Sequence, residues 1–309
     1  MSLQMNEVDL SVIVPVYNNA STLGELIDRL VAVLEPMGRS FELVFVDDGS
    51  RDASLAVLRE RAARDPRVRP FALVRNFGSQ AAACAALDQV RGRWVVSLDA
   101  DLENRPEDIP ELLQPLDHGY DLVCGYRENR DAPWLTRQVP SGLMNAYIRW
   151  RTGTTIRDLG CGMRAMQSWV IRDLASEGEA RRLLTPLILR RARKVAEVRV
   201  RQGTAPGSSR HSFLTLLGIA ADYFLVTSRG PFLVSGLVSL VAVVMGLLVL
   251  ISGRGLAGLV LLTGGLLGAL GSLVGEYCQR IYQLTQGRPF YELRDLEPRD
   301  LEADGERRI

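Results

Sequence analysis

The chain has 309 residues, with 37 Lys and Arg against 36 Asp and Glu, for a formal net charge of +1. That length holds one sizeable core, or one domain plus a smaller part, and the balanced charge gives no electrostatic footprint for a nucleic-acid partner. Lysine occurs once, at Lys194 in the run 190-RRARK-194, and histidine twice, at His118 and His211; Schiff-base, P-loop, zinc and Ser-His-Asp chemistries are poorly supplied.

The four cysteines, Cys84, Cys124, Cys161 and Cys278, are scattered with no CxxC pair, which reads as reduced thiols in a reducing compartment. The opening MSLQMNEVDLS lacks the basic start and apolar stretch of a signal peptide.

In chain order, 10-LSVIVPV-16 is an apolar β-branched run that predicts a buried strand. The segment 21–38 carries apolar residues near i, i+3, i+4 and i+7, with Ser21 as the cap candidate, and predicts a helix. A second strand is predicted at 43–48, a third at 70–74, a helix at 79–90 and a fourth strand at 94–100. Alternation of strand and helix implies an α/β fold with a mostly parallel, doubly wound sheet, which binds ligands beyond the carboxyl ends of its strands.

Polar clusters fall at those ends. They are Tyr17-Asn18-Asn19, Asp47-Asp48-Gly49-Ser50, Arg75-Asn76-Phe77-Gly78 and Asp99-Ala100-Asp101. No GxGxxG follows the first strand and no GxxxxGK[ST] occurs, so neither a dinucleotide fingerprint nor a P-loop is present.

Asp99, Asp101 and Glu103 stand at i, i+2 and i+4, on one face of an extended chain that rises about 3.3 Å per residue. Like charges this close repel unless a cation lies between them. Mg²⁺ takes a few carboxylates plus substrate phosphates, and Mn²⁺ accepts the same hard ligands. Such a cation bridging to a diphosphate would neutralise a leaving group. The alternative is helix capping. That accounts for Glu107 and Asp108, near Pro106, but not for Asp99 and Asp101.

Further on, 231–253 is uncharged, Arg254 follows, and 255–275 is uncharged again. Each run approaches the roughly 20 residues needed to cross a bilayer, so 231–253 and 255–276 predict a transmembrane hairpin. Gly264 and Gly268 form a small-xxx-small pair suited to close helix packing. Arg201, Arg210 and Arg229 precede the spans and Arg280, Arg288 and Arg294 follow them, which places both termini and the 277–309 tail in the cytoplasm. The segments 211–230 and 143–150 have the pattern of helices lying in the membrane interface.

The motifs 12-VIVPVYNN-19, 45-FVDDGSRD-52, 75-RNFGSQAA-82, 98-LDADLENRPEDIP-110, 158-DLGCGMRA-165, 207-GSSRHSF-213 and 275-GEYCQRIYQLTQGRPFY-291 cover nearly the whole chain. As a set they resemble family 2 glycosyltransferases of the GT-A fold, and among them the membrane polyprenyl-phosphate glycosyltransferases. The resemblance implies a GT-A domain over 1–210 that transfers a sugar from a nucleotide sugar, UDP-linked by preference, to the phosphate of undecaprenyl phosphate. It implies an enzyme at the cytoplasmic face of the inner membrane, serving envelope glycan or lipid A modification, with inversion at the anomeric carbon. It also implies Mg²⁺ or Mn²⁺ as cofactor and a homotetrameric assembly.

For individual residues, the resemblance implies that Pro15, Tyr17, Asn19, Asp47 and Asp48 hold the nucleotide. Asp99 would lie beside it, and Asp99, Asp101 and Glu103 would hold the metal. Arg127, Arg137, Arg164, Arg201, Ser209 and Arg210 would meet donor and acceptor phosphates. Asp101, Asp158 and Arg164 are the catalytic candidates, with Asp158 either an auxiliary base or an ion-pair partner that orients an arginine.

The chain departs from the family pattern in four places. Asn19 stands where Glu is usual, and Glu103 where Gln is usual. Residues 207–212 replace G-E-S-K-Y-S, and Thr204 occupies an expected arginine position for which Arg201 is the substitute. Two rival readings stay open. A processive polysaccharide synthase would carry Q-x-x-R-W, but Ala146 occupies the glutamine position before Arg149-Trp150. A membrane-anchored nucleotide-sugar-binding subunit would bind without turnover.

Overall fold

The computed structural model describes residues 8–127, most of 156–203, separate positions from 263 to 281, and 291–294. Arg137, Ser209, Arg210, the 143–150 and 211–230 segments and the 231–253 span lie outside the described residues.

The chain divides into two compact units. One comprises Met1–Arg210 with Pro289–Ile309, and the other His211–Arg288.

The first unit is built on an eight-stranded mixed sheet in the order β7-β5-β6-β4-β1-β2-β3-β8. Its first half follows the predicted alternation: β1 (Val8–Val16), α1 (Ala20–Leu34), β2 (Phe41–Asp47), α2 (Ser54–Arg64), β3 (Val68–Leu73), α3 (Ser79–Leu87) and β4 (Gly92–Ser97). These four strands run parallel, with β1 paired to β2 on one side and β4 on the other. The second half adds α4 (Ile109–Asp117), β5 (Leu122–Tyr126), β6 (Arg164–Gln167), α5 (Ser168–Ile171), α6 (Leu184–Arg191) and β7 (Val195–Arg199). Here β6 runs antiparallel between β4 and β5, and β5 pairs parallel with β7. The two-residue β8 (Leu293–Arg294) closes the far edge antiparallel to β3.

Local sequence explains these elements. β2 is buried along its whole length, as expected of a central strand covered on both faces. Helix α1 buries Leu23, Leu26, Ile27, Leu30 and Leu34, one apolar stripe at helical spacing. Each such leucine contributes about 1.5–3 kcal/mol on full burial. The alanine-rich α3 buries Ala81, Ala82, Cys84, Ala85 and Ala86, whose small side chains let the helix lie close on the sheet. Ser21 is not the cap of α1: the helix begins at Ala20, and Asn19 takes the N-cap position.

All four cysteines are free thiols. Burial pushes Cys84 up to about 12 and Cys124 up to about 11, so both stay protonated and unreactive at neutral pH.

In the second unit the described positions from Thr263 to Ile281 are helical. Leu267, Val274 and Ile281 are exposed apolar side chains among these positions. Among the described residues, no helix is long and apolar enough to cross a membrane.

Candidate active site

The order β3-β2-β1-β4 reverses at β1, so the crevice between the β1 and β4 tips is the topological switch point of the sheet. The predicted polar clusters converge around it.

At the β1 tip, Asn18 turns the chain with a positive φ of 53°, a conformation asparagine tolerates better than most residues. Its backbone N–H donates to Ser50 Oγ at 2.9 Å, and its Oδ1 accepts the Arg51 N–H at 2.8 Å. Asn19 is 5% exposed; its Oδ1 accepts the Tyr17 N–H at 3.3 Å, and its own N–H donates to Ser54 Oγ at 2.9 Å. Asn19 thus closes the turn. Tyr17 and Pro15 are half-buried beside it.

At the β2 tip, Asp47 and Asp48 are each 2% exposed. Asp48 accepts the backbone N–H groups of Phe77 at 2.7 Å and Gly78 at 2.9 Å, so it holds the β3–α3 loop. Asp47 Oδ2 accepts the Ser50 N–H at 3.1 Å, whereas its Oδ1 is buried without a hydrogen-bond partner. Burial raises the pKa of both acids, against the pull of those backbone bonds. Gly49 has φ +66°, and a Cβ there would meet the Arg75–Asn76 backbone at 2.7 Å, so only glycine lets the two tips approach.

The β4 tip is different. Asp99 is open to solvent, although protein surrounds it on most sides. Its carboxyl is pushed up to about 6, first by removal of water and then by the charges of Asp101 and Glu103; Arg164 and Arg127 pull the other way. Asn104 Nδ2 donates to Asp99 Oδ2 at 3.3 Å, and Asp101 Oδ1 accepts the Glu103 N–H at 3.0 Å. Leu102 between them has φ +62°, a strained conformation for leucine. Thr22 Oγ1, from α1, donates to the Ala100 carbonyl at 2.8 Å and ties the two crevice walls together.

Across the crevice mouth, Arg127 follows β5. Its Nε donates to Asp158 Oδ2 at 2.9 Å, one of its terminal nitrogens donates to the Gly160 carbonyl at 3.1 Å, and another lies 3.8 Å from Glu103. Burial alone would lower the Arg127 pKa; Asp158 outweighs it and the net shift is upward. Arg164, the first residue of β6, donates to Thr185 Oγ1 at 2.6 Å.

The structure therefore brings Asp99, Asp101, Glu103, Arg127, Asp158 and Arg164 to one region. It does not bundle three acids: among the described residues, no group of three His, Cys, Asp or Glu side chains is arranged to hold a metal ion. Glu103 leans toward Arg127 instead. The remaining Asp99 and Asp101 still suit a hard divalent cation, since lost hydration and then the charge of Asp101 hold Asp99 well above the usual carboxylate range, and a nearby cation favours the ionised form.

Arg201 pairs with acids at the start of α4. Its backbone N–H and Nε donate to the fully buried Asp108 at 2.7 and 3.1 Å, and its side chain reaches Glu111 at 3.6 Å. It joins the end of β7 to the start of α4. The Gly203 N–H donates to the Glu103 carbonyl at 2.8 Å, which ties the same segment to the β4 tip.

Residues 11–174 match the family model described as Glycosyl transferase family 2. The chain belongs to glycosyl transferase family 2. This transferase is 33% identical over 306 residues to the undecaprenyl-phosphate 4-deoxy-4-formamido-L-arabinose transferase of Edwardsiella ictaluri, covering 93% of the chain and 94% of that protein. It is 37% identical over 303 residues to the protein of the same description from Pseudomonas paraeruginosa, covering 91% and 88%.

Among solved structures it resembles glucosyl-3-phosphoglycerate synthase from Mycobacterium tuberculosis in complex with Mn²⁺, UDP and glucosyl-3-phosphoglycerate. The TM-score is 0.50 at 22% identity, over 72% of this chain and 78% of that one. That likeness shows the GT-A fold.

Asn104, Cys161 and Gly162 escape a reading by motif role, and Asp108, read as a capping acid, makes no side-chain cap bond and holds Arg201. Asn104 carried the one available signal: it is an uncharged polar residue inside a run of acids, at a position where capping requires nothing.

Proposed function

We propose that this transferase moves a sugar from a UDP-sugar to the phosphate of undecaprenyl phosphate, with inversion, at the cytoplasmic face of the inner membrane. The reading is carried by one observation: Asp99 and Asp101 sit at the switch point, close enough to Arg164 and Arg127 for both charges to act on Asp99. Adjacent acids beside arginines form a site for a cation-bridged diphosphate next to a second phosphate. The relatives' printed acceptor, undecaprenyl phosphate, fits the second position.

The orphaned Asp47 Oδ1 fits a donor group of a nucleotide base or ribose, because a buried acceptor left unpaired costs about 1–3 kcal/mol. Pro15 and Tyr17 flank that position, while Asp48 and Asn19 shape it through the loops they hold. Asp99 and Asp101 would hold Mg²⁺ or Mn²⁺, which when bound supplies charge neutralisation for the departing diphosphate.

The acceptor phosphate monoester has a second pKa near ~6 and is mostly dianionic at neutral pH. Its oxygen is already a nucleophile, so no strong base is needed. Asp158 is engaged by Arg127 at 2.9 Å, and its role here is to orient that guanidinium. Arg127 and Arg164 position the phosphates, and positioning together with charge accounts for the acceleration. Arg137, Ser209 and Arg210 are proposed to meet the acceptor phosphate, and Arg201 to anchor the chain leading to them.

The uncharged runs 231–253 and 255–276 are proposed as the membrane hairpin, preceded by the 211–230 interfacial helix and followed by the 277–309 cytoplasmic tail. The exposed apolar side chains Leu267, Val274 and Ile281 support contact with lipid or with a second copy. A homotetramer is the expected assembly, to be checked by light scattering in detergent.

The function is tested by transfer from radiolabelled UDP-sugars to undecaprenyl phosphate in detergent. We expect a labelled lipid product with the phosphate and none with undecaprenol. Efficient transfer to the alcohol would sink the claim that the lipid phosphate is the nucleophile.

A further inference from the structure

Asn104 is 1% exposed and lies between two motifs that are distant in sequence. Its Nδ2 donates to Asp99 Oδ2 at 3.3 Å, and its Oδ1 accepts the thiol of Cys161 at 3.7 Å. An amide has a donor end and an acceptor end, and its orientation is set by the partners of each. Burial keeps Cys161 protonated, so the thiol is a donor and selects the amide oxygen. The amide nitrogen then faces Asp99, and the reverse orientation would set an oxygen against a carboxylate.

Gly162 closes the other side. A Cβ at that position would lie 2.0 Å from Asp99 Oδ2, so the carboxylate is seated against bare backbone. The backbone there is itself pinned, since Ser97 Oγ donates to the Gly162 carbonyl at 2.6 Å. Oδ2 is thus held by an amide on one side and glycine on the other. Oδ1 has no hydrogen-bond partner among the described residues.

We propose that Asn104 is a positioning residue for the transfer reaction: with Cys161 and Gly162 it binds Asp99 Oδ2 to the protein and leaves Oδ1 as the single oxygen offered to a divalent cation and nucleoside diphosphate. This rests on the metal reading of the β4 tip. It also gives the buried cysteine of 158-DLGCGMRA-165 a task. The thiol fixes an amide and takes no part in redox or nucleophilic chemistry.

The test is Mn²⁺ binding to the full-length chain in detergent, with and without UDP, read from the electron paramagnetic resonance signal of free Mn²⁺. Donor KM, kcat and the thermal midpoint are measured alongside. Outer-shell partners of metal ligands are worth about 10–100-fold in affinity. Asn104→Ala should weaken Mn²⁺ binding in the presence of UDP by at least about tenfold, with donor KM rising in step. Cys161→Ala should show a smaller loss of the same kind, and Cys161→Ser, whose hydroxyl can donate to the amide, should restore binding.

If the native chain binds Mn²⁺ and Asn104→Ala binds it equally well, Asn104 does not position Asp99 and the proposal is overturned. Should Asn104→Ala fail to fold, the cysteine pair decides: equal Mn²⁺ affinity in Cys161→Ala and the native chain overturns it too. A native chain that takes up no Mn²⁺ with UDP would remove the metal reading itself, and this inference with it.

Discussion

Two pairs of acids stand at strand tips of the same sheet, and the fold treats them in opposite ways. Asp47 and Asp48, at the end of β2, are both buried, and backbone N–H groups of loops hold three of their four oxygens. Asp99 and Asp101, after β4, keep access to solvent, and Asp99 is held through one oxygen by a side-chain amide. The first pair spends its charge on shaping loops and leaves one buried acceptor for a ligand. The second keeps its charge in reserve, at the expense of lost hydration and mutual repulsion that Arg164 and Arg127 offset only in part. The same residue type, in the same kind of place, is scaffold in one case and reactive surface in the other.

The sharpest way to break this contrast is Gly162→Ala. The new methyl would displace Asp99 Oδ2, and a misplacement near 1 Å costs on the order of 10²-fold in rate. We expect kcat/KM to fall by at least about that factor while the thermal midpoint changes little.

The buried pair should respond through stability instead. Asp48→Ala strands the Phe77 and Gly78 N–H groups, at a cost of about 2 kcal/mol. Calorimetry should show the midpoint lowered by about 4–8 °C. An unchanged midpoint would mean that Asp48 does not hold the loop.

Proton competition gives a third test. With Asp99 near 6, a cation must displace a proton once the pH drops below that value. Apparent Mn²⁺ affinity should be level above pH 6 and weaken toward tenfold per pH unit beneath it. Asp99→Asn should bind weakly at every pH, without the break. The sign for folding is opposite to that of an ion-paired acid. Because the native pKa is raised, ionised Asp99 works against the metal-free fold above pH 6, and that opposition lifts as pH falls from 6 toward 4.

The smallest effect is expected from Glu103→Gln, which restores the residue usual in the family. Glu103 is turned to Arg127 at 3.8 Å, near the outer limit of an ion pair, and Arg127 keeps Asp158 at 2.9 Å as its close partner. Mn²⁺ affinity should change by less than about fivefold in the titration used for Asp99. A larger change would show that Glu103 swings to the cation when it is bound.

Much of this architecture is written locally. The β1 to β4 alternation follows from apolar runs with turn residues between them, and the strand tips then locate the polar clusters. Asp99 and Asp101 stand out because capping does not explain them. The second half of the sheet is less legible, because β6 is four residues long and antiparallel, and no periodicity marks so short a piece. Asn104 and Cys161 are 57 positions apart, a contact that neither local propensity nor motif spacing encodes. Arg201 makes a contact of the same kind: the buried Asp108, at a helix start 93 positions earlier, accepts its Nε. A carboxylate at zero exposure needs such a partner, and sequence spacing does not say which arginine supplies it.

The central claim is that the β4 tip works through a divalent cation. It is tested most directly by sugar transfer to undecaprenyl phosphate, comparing the native chain, the chain stripped with EDTA and then resupplied with Mn²⁺, and Asp101→Ala. Stripping should abolish transfer, Mn²⁺ should restore it, and Asp101→Ala should stay at least about 10²-fold below the native rate in saturating Mn²⁺. Full transfer in EDTA, or by Asp101→Ala, would contradict it.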